Sequence, residues 1–425
     1  MTDPDAPSSC AIPGGAGADV SADRAGSTPA RSTSDRCPGV FAPHAAADGA
    51  LARIRLLGGA ITPEQLATLA RVSADHGDGF IDLTARANVQ LRGITDVDAV
   101  ASELVDAGLV PSTTHEKVRN IEVSPFTGRV GGLLDLRPVV RRLDEALRDD
   151  AELSALSGRF LFGLDDGHAD IARGNCDVCA YARSAADGSV TVDILIDGED
   201  VGSVGSPVDV IGALLAVAHD LLDIAPGAWR VSDLAPRERS ALIERSRRRL
   251  DEAHAQDGHA QDGHAEGVLA DDRVAIEAAA PRVGWFDQSD GNVLLGAVVE
   301  LGRLPARLAE FIAAVGAPVV FTPDREILIC DLGEGVAETV VRVLAPMGLI
   351  FDASSPWTQV SACAGAPGCA HGQAPVRVDA VARVESGGPV AEREHWVGCD
   401  RGCGSPPQPH RRVEATESGY RATRR

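Results

Sequence analysis

Two stretches of this chain repeat one pattern of hydrophobic spacing, and the repeat restricts the fold more than any other feature. In the first, residues 51–57 alternate, with Arg53 and Arg55 on one face, as in a strand with one buried side. Thr62-Pro63-Glu64-Gln65 then supplies an N-cap, a proline at the first helical position and a glutamine three residues on, the signature of a capping box. Leu66, Leu69, Ala70 and Val72 form an apolar stripe, Gly77 ends the helix, residues 79–93 run extended, and a second helix is predicted near 97–107. The second stretch repeats this order: a strand at 293–299, a helix from Pro305 to Gly316, strands at 319–322 and 326–331, a helix to Ala345, then Gly348-Leu349-Ile350. Each stretch reads β-α-β-β-α-β, which predicts two ferredoxin-like halves, at 37–115 and 268–350.

A chain of 425 residues exceeds one ordinary core, so further domains are expected. Residues 116–250 read as a first α/β domain, with helices at 137–150 and 207–223 and strands near 159–164 and 190–196. Residues 351–425 form the cysteine-bearing domain. Residues 1–36 are almost free of aliphatic side chains and are expected to be a disordered leader. The repeated His254-Ala-Gln-Asp-Gly-His259 within 251–267 has no apolar face and reads as a low-complexity linker. No apolar run reaches ~18 residues and no signal peptide is visible, so a cytoplasmic protein without membrane contact is expected. The net charge of −22 repels nucleic-acid phosphates. Lys117 is the only lysine, so a polyanionic ligand would have to be held by arginines.

Four of the nine cysteines lie in two close pairs, Cys363-Ala-Gly-Ala-Pro-Gly-Cys369 and Cys399-Asp-Arg-Gly-Cys403. Glycine- and proline-rich turns can aim two sulfurs inward from each pair, which suits an iron–sulfur site. Zinc is the main competing chemistry, although a five-residue gap departs from its usual knuckles. Cys176-Asp-Val-Cys179 has redox-motif spacing but no βαβ context, so buried structural thiols are expected there, and Cys330 reads as core filling. Along residues 82–92 every even position is polar (Asp82, Thr84, Arg86, Asn88, Gln90, Arg92) and every odd position apolar. The polar face can simply meet water, or it can hold carboxylates on its arginines and amides.

In this order, the two halves, Leu83-Thr84-Ala85-Arg86 with Gln90 and Gly93, Val118-Arg119-Asn120 with Ser124-Pro125, and the cysteine pairs resemble the nitrite/sulfite reductase superfamily over about residues 37–405. Within it, Arg36-Cys37-Pro38-Gly39, Ala52-Arg53-Ile54-Arg55-Leu56, the run from Arg86 to Gly93 and the run from Ser361 to Cys369 are similar to the precorrin-3B synthase family of aerobic cobalamin biosynthesis. The resemblance implies an α+β fold, duplicated ferredoxin-like halves with additional α/β domains of the sirohaem and iron–sulfur reductase type. It implies a [4Fe–4S] cluster on Cys363, Cys369, Cys399 and Cys403, with Cys403 facing the macrocycle. Arg53 and Arg119 inherit catalytic roles, and Arg55, Arg86, Gln90, Arg92, Asn120 and Arg159 line the substrate.

Two departures accompany the resemblance. Arg159 and Leu161 stand where the reductases carry a lysine pair, and Asp82 replaces an arginine. The loss of proton-donating cations suits a tetrapyrrole treated as substrate rather than a sirohaem that reduces an oxyanion. The family implies hydroxylation of precorrin-3A at C20 with γ-lactone formation, a monooxygenase reaction with O2 as co-substrate. NADH-derived electrons would arrive through a partner reductase or ferredoxin. A mononuclear non-haem iron is a candidate oxygen-activating centre whose ligands the sequence does not identify, His395 being the nearest histidine to the third cysteine. The alternatives are a sirohaem-dependent sulfite or nitrite reductase and a non-catalytic iron–sulfur electron-transfer subunit.

Overall fold

The first half forms around the hydrophobic alternation at its start. A hairpin of β1 (His44–Ala46) and β2 (Gly49–Ile54) leads through β3 (Ala60–Ile61) into α1 (Pro63–His76), followed by β4 (Phe80–Leu83), β5 (Val89–Ile94) and α2 (Val97–Asp106). The capping box is formed: Gln65 N donates to Thr62 Oγ1 and Thr62 N to Gln65 Oε1, both at 3.2 Å. Asp96 caps α2 by accepting from Ala99 N. The computed structural model describes residues 37–185, 188–205, 207–256 and 280–425, so the expected leader lies outside the described residues.

Residues 121–256 make a second sheet with its own core. Its elements are β6 (Ile121–Val123), α3 (Arg137–Asp149), β7 (Phe162–Asp165), β8 (Val178–Ser184), β9 (Val190–Ile196), β10 (Glu199–Val204), α4 (Pro207–Ile224) and α5 (Pro236–Gln256). The strand order is β10-β9-β8-β7-β6, with β6, β7 and β8 parallel. Leu143, Leu147, Phe160, Phe162 and Leu214 are fully buried between sheet and helices, each such side chain contributing about 1.5–3 kcal/mol. The predicted linker does not begin at 251: α5 carries on to Gln256, because the run Arg245–Glu252 has strong helix formers and no breaker. The rest of the linker lies outside the described residues.

The second half repeats the first in detail. It comprises β11 (Gly284–Asp287), β12 (Val293–Ala297), β13 (Arg303–Pro305), α6 (Ala306–Ala314), β14 (Val319–Phe321), β15 (Ile327–Leu332) and α7 (Glu334–Leu344). Register makes the equivalence exact at the residue level: Arg53 pairs with Gln90 as Gly296 pairs with Leu328, and both sheets shift register at the same place, Ala50/Ala52 and Val293/Leu295. The halves also exchange short strands. β3 extends the second sheet beside β14, and β13 extends the first beside β4. With α1 packed on α6, both halves share one core in which Leu66, Leu69, Leu308 and Ile312 are almost wholly buried. The closing strand expected in each half is reduced. Ile350 makes only an isolated bridge to Val298, and residues 107–120 contain no strand, because β1 and β11 already occupy the outer edges of β2 and β12 where a closing strand would pair.

The last segment adds β16 (Val360–Ala362), α8 (Val376–Glu385), β17 (Glu394–Val397), β18 (Arg411–Thr416) and β19 (Gly419–Arg424) in one sheet. All described residues belong to a single compact unit. Among them no helix is long and apolar enough to cross a membrane.

Candidate functional site

The loops carrying the four cysteines are built on close backbone contacts. A Cβ at Gly372 would lie 2.4 Å from Ala366 N, and one at Gly365 would lie 2.6 Å from Val376 Cγ2. The first loop can therefore fold back on itself only with glycine there. Cys363 follows β16, its N donating to Trp396 O, and its Sγ accepts from Gly398 N at 3.2 Å. Cys369 N donates to Gly365 O. Burial raises the Cys363 and Cys403 thiols, and the other thiols of the group act on both in the same direction. The four thiols thus lie within electrostatic reach of one another.

Glycine-rich turns with a backbone N–H, that of Gly398, directed at the Cys363 sulfur suit an iron–sulfur centre on these loops, while zinc is the competing chemistry for four thiolates. Among the described residues no three His, Cys, Asp or Glu side chains are gathered into a metal-ion site. His395 is not a candidate ligand. It is fully buried, its Nε2 donates to Cys403 O at 3.0 Å and its Nδ1 accepts from Ser361 Oγ at 2.8 Å. Burial, helped by Arg325, pushes it down to about 3, so the neutral ring serves as a strut for the Cys403 loop.

The cysteine segment docks on both halves through arginines. Arg92 donates to both oxygens of Asp48 at 3.0 Å and to Gly368 O at 2.8 Å. Arg377 of α8 and Arg303 of β13 both pair with Asp82, and Arg325 donates to Gly404 O. Asp82, apolar Val320 in the second half, thus stands where it anchors α8. Arg92 is a correction: its Nε and Nη2 are engaged by Asp48 and Gly368 O and it is 7% exposed, so it holds the Cys369 loop. The docking arginines 303, 325 and 377 had no local sequence signal, since their partners lie 221, 79 and 295 positions away.

Beside this segment the structure gathers Arg53, Arg55, Arg86 and Arg159. Arg53 donates to Gln90 Oε1 through Nε and Nη2, at 3.0 and 2.6 Å. Burial lowers the Arg53 guanidinium, with Cys37 and Cys403 opposing and Arg86 and Arg159 reinforcing the shift. Cys403 is therefore close to the arginine group. Arg55 is 4% exposed and donates from Nε to Asn120 Oδ1 and from Nη1 to Pro38 O, while its buried Nη2 has no partner. Burial, with Arg53 adding, brings it down to about 10. Arg86 Nη1 donates to Arg159 O, and the exposed Arg159 guanidinium lies 4.4 Å from the Trp229 ring. Cys37 acts on Arg53, Arg55 and Arg86 alike; the Arg36-Cys37-Pro38-Gly39 run was the only sequence signal for it.

Two further expectations are corrected. Arg119 does not join the group, because it is 4% exposed and paired with Asp144 of α3 at 2.5 Å, an aspartate that also holds Arg148. Asn120 is consumed by the protein: it accepts from Arg55 and donates to Lys117 O and Gly158 O, fixing the Arg55 guanidinium. Leu161 is 2% exposed and packs with Ile171, Cys176, Cys179 and Leu195. Cys176 and Cys179 are buried thiols stacked over Gly163, and Cys179 is raised well above its usual value, first by its hydrogen bond to Cys176 and then by burial. Burial takes Cys330 up to about 12, as expected for core thiols.

Residues 44–107 match the nitrite/sulfite reductase ferredoxin-like half domain. A precorrin-3B synthase from Sinorhizobium is 26% identical over 396 residues, covering 90% of this chain and 81% of its own length. A ferredoxin–nitrite reductase from Synechococcus elongatus is 23% identical over 84% of this chain and 74% of its own. The solved structure of the NirA protein of Mycobacterium tuberculosis superposes with a TM-score of 0.69 at 18% identity, over 88% of this chain and 73% of that one. The chain thus shares the fold of the NirA protein, and its residues 44–107 match the nitrite/sulfite reductase ferredoxin-like half domain.

Proposed function

We propose that this chain is an oxidoreductase of the precorrin-3B synthase type: an oxygen-dependent enzyme that hydroxylates precorrin-3A at C20, with γ-lactone formation, in cobalamin biosynthesis. The observation that carries the reading is the cation inventory beside the four cysteines. Arg53, Arg55, Arg86 and Arg159 assemble there, whereas Leu161 is in the core and Arg119 is neutralised by Asp144. A polycarboxylate is served by spread guanidinium groups; multiproton reduction of a small oxyanion needs concentrated proton donors instead. The similarity to the Sinorhizobium precorrin-3B synthase supports the same reading.

In this proposal Cys363, Cys369, Cys399 and Cys403 hold a [4Fe–4S] cluster, which when bound supplies one-electron transfer. The chain's own residues do the rest. Arg53, oriented by Gln90, and Arg86, braced against Arg159 O, bind ligand carboxylates. Asn120 orients Arg55 so that its unpartnered Nη2 is available to an acceptor. Electrons come from a reductase or ferredoxin-type partner that draws on NADH, and O2 is the co-substrate.

The names of several relatives, ferredoxin–nitrite reductases, favour a sirohaem enzyme as the second reading. An optical spectrum of anaerobically purified protein separates the two. A lone broad cluster absorption is expected, and sirohaem bands would overturn the synthase reading. Incubation with precorrin-3A, O2 and a reductant should then give a product heavier by oxygen. Cys399→Ser should lose cluster iron and sulfide.

A further inference from the structure

The arginine group contains one acid that the reading above leaves without a role. Glu122 is the central residue of β6, 7% exposed, with its buried Oε1 lacking any hydrogen-bond partner. Native folds rarely leave a buried polar atom unpaired. Arg55 Nη2 is a second orphan, on a guanidinium tied to Asn120, two residues before Glu122 in the chain. One orphan can donate only, the other can accept or, when protonated, donate.

The surroundings explain why no protein group completes Glu122. In register it faces Gly163 of β7, which offers no side chain, and a Cβ there would meet the Cys176 and Cys179 sulfurs at 2.6 and 2.9 Å. The charged groups that act on Glu122 are Arg86 from the β4–β5 turn, Arg230, and Asp324 from the equivalent β14–β15 turn; Glu122 in turn acts on Cys179 of β8. Each has its own partner. Arg86 donates to Arg159 O, Arg230 pairs with Asp177 at 2.7 Å, Asp324 accepts from Arg393 at 2.6 Å, and Cys179 bonds Cys176. Glu122 therefore stands between the turns of the two halves, near cations that do not touch it.

We infer that Glu122 is a ligand-contacting residue of the arginine site, which binds a carboxylate ligand together with a proton, the protonated Oε1 donating to the anion that Arg86 attracts. An ionised carboxylate at that place would repel the ligand, so the pair is stable only with one proton between them. Burial, against the pull of Arg86 and Arg230, holds the unliganded carboxyl up at about 7, so half the molecules already carry that proton near neutrality. The inference rests on the tetrapyrrole reading for the identity of the ligand, not for the behaviour of Glu122.

The test uses the full chain with its cluster and uroporphyrin, a metal-free tetrapyrrole carrying eight carboxylates, with titration calorimetry in two buffers of different ionisation heat. Wild type should take up a proton on binding, with affinity falling about tenfold per pH unit above 7. Glu122→Gln should bind without proton uptake and with a flat pH profile, and Glu122→Asp should restore the slope. Intact cluster absorption and circular dichroism show that each variant has folded. Uroporphyrin binding without proton uptake in wild type, or uptake retained in Glu122→Gln, overturns the inference and leaves the tetrapyrrole reading standing. No uroporphyrin binding to wild type overturns the tetrapyrrole reading, and nitrite as probe then decides Glu122 by the same two criteria.

Discussion

Arg53 and Gly296 occupy the same place in two copies of one sheet, and what surrounds them has opposite character. In the first half the outer face carries Arg53, Asp82, Gln90 and Arg92; at the matching positions of the second stand Gly296, Val320, Leu328 and Cys330. Phe126 and Phe286 cover the second set. The turns diverge likewise. Both place a non-glycine residue in the left-handed region, Ala87 at φ 53° and Arg325 at φ 63°, and both are closed by a threonine hydroxyl accepting from the residue four positions on. Yet Arg86 faces the arginine group, while its counterpart Asp324 belongs to a closed ion cluster with Arg282, Asp170, Glu326 and Arg393. The backbone, then, does not make the site. The first copy spends Asp82 and Arg92 on docking the cysteine segment and keeps Arg53 and Arg86 in the arginine group, whereas the second satisfies its turn charges within one ion cluster.

If this contrast holds, substitutions in the two halves should fail differently. The largest effect belongs to Arg282→Ala, which strands Asp170 and Glu326 without their cation in a buried setting and should cost about 3–5 kcal/mol of stability. Urea denaturation measures it, and a loss below 1 kcal/mol would mean the cluster is not closed. Next comes Asp82→Asn, which removes the charge that anchors Arg303 and Arg377 and should cost about 1–3 kcal/mol at pH 7. Burial raises the Asp82 carboxyl, but Arg377 and Arg303 prevail and its value lies below the usual range. Its contribution is therefore complete above the unfolded value of about 3.9 and fades as pH falls through the lower folded one. The gap between wild type and Asp82→Asn should be constant from pH 5 to 7 and shrink below pH 4; a gap that widens on acidification would contradict the assignment. The smallest stability effect, at most about 1 kcal/mol, is expected for Arg86→Ala, which nonetheless should weaken uroporphyrin binding by ~1–3 kcal/mol. Unchanged affinity in a fluorescence titration would place Arg86 outside the ligand surface.

Much of this was legible in the chain. Capping residues, strand alternation and breakers are local, and they located α1, α2, α3, α4 and the paired halves to within a few residues. The exchange of β3 and β13 was not, because strands of two and three residues, the latter meeting its partner 221 positions away, leave no periodicity to read. Among site residues, Arg53, Arg55, Arg86 and Arg159 come together, but Arg92, Arg119 and Asn120 are engaged by Asp48, Asp144 and neighbouring carbonyls. An arginine's residue type states its charge and not its partner. The lack of a partner at Glu122 Oε1 is a property of three elements meeting, which no local pattern encodes.

The sequence by itself determined the duplicated frame, the four-cysteine loops with the glycines that let them close, and a supply of guanidinium groups, since each depends on residues close together in the chain. Only the tertiary structure decided which charges are spent on holding the protein together and which remain for a ligand. Ion pairing in a buried setting depends on distance and desolvation, and both are fixed only when segments hundreds of residues apart are packed side by side.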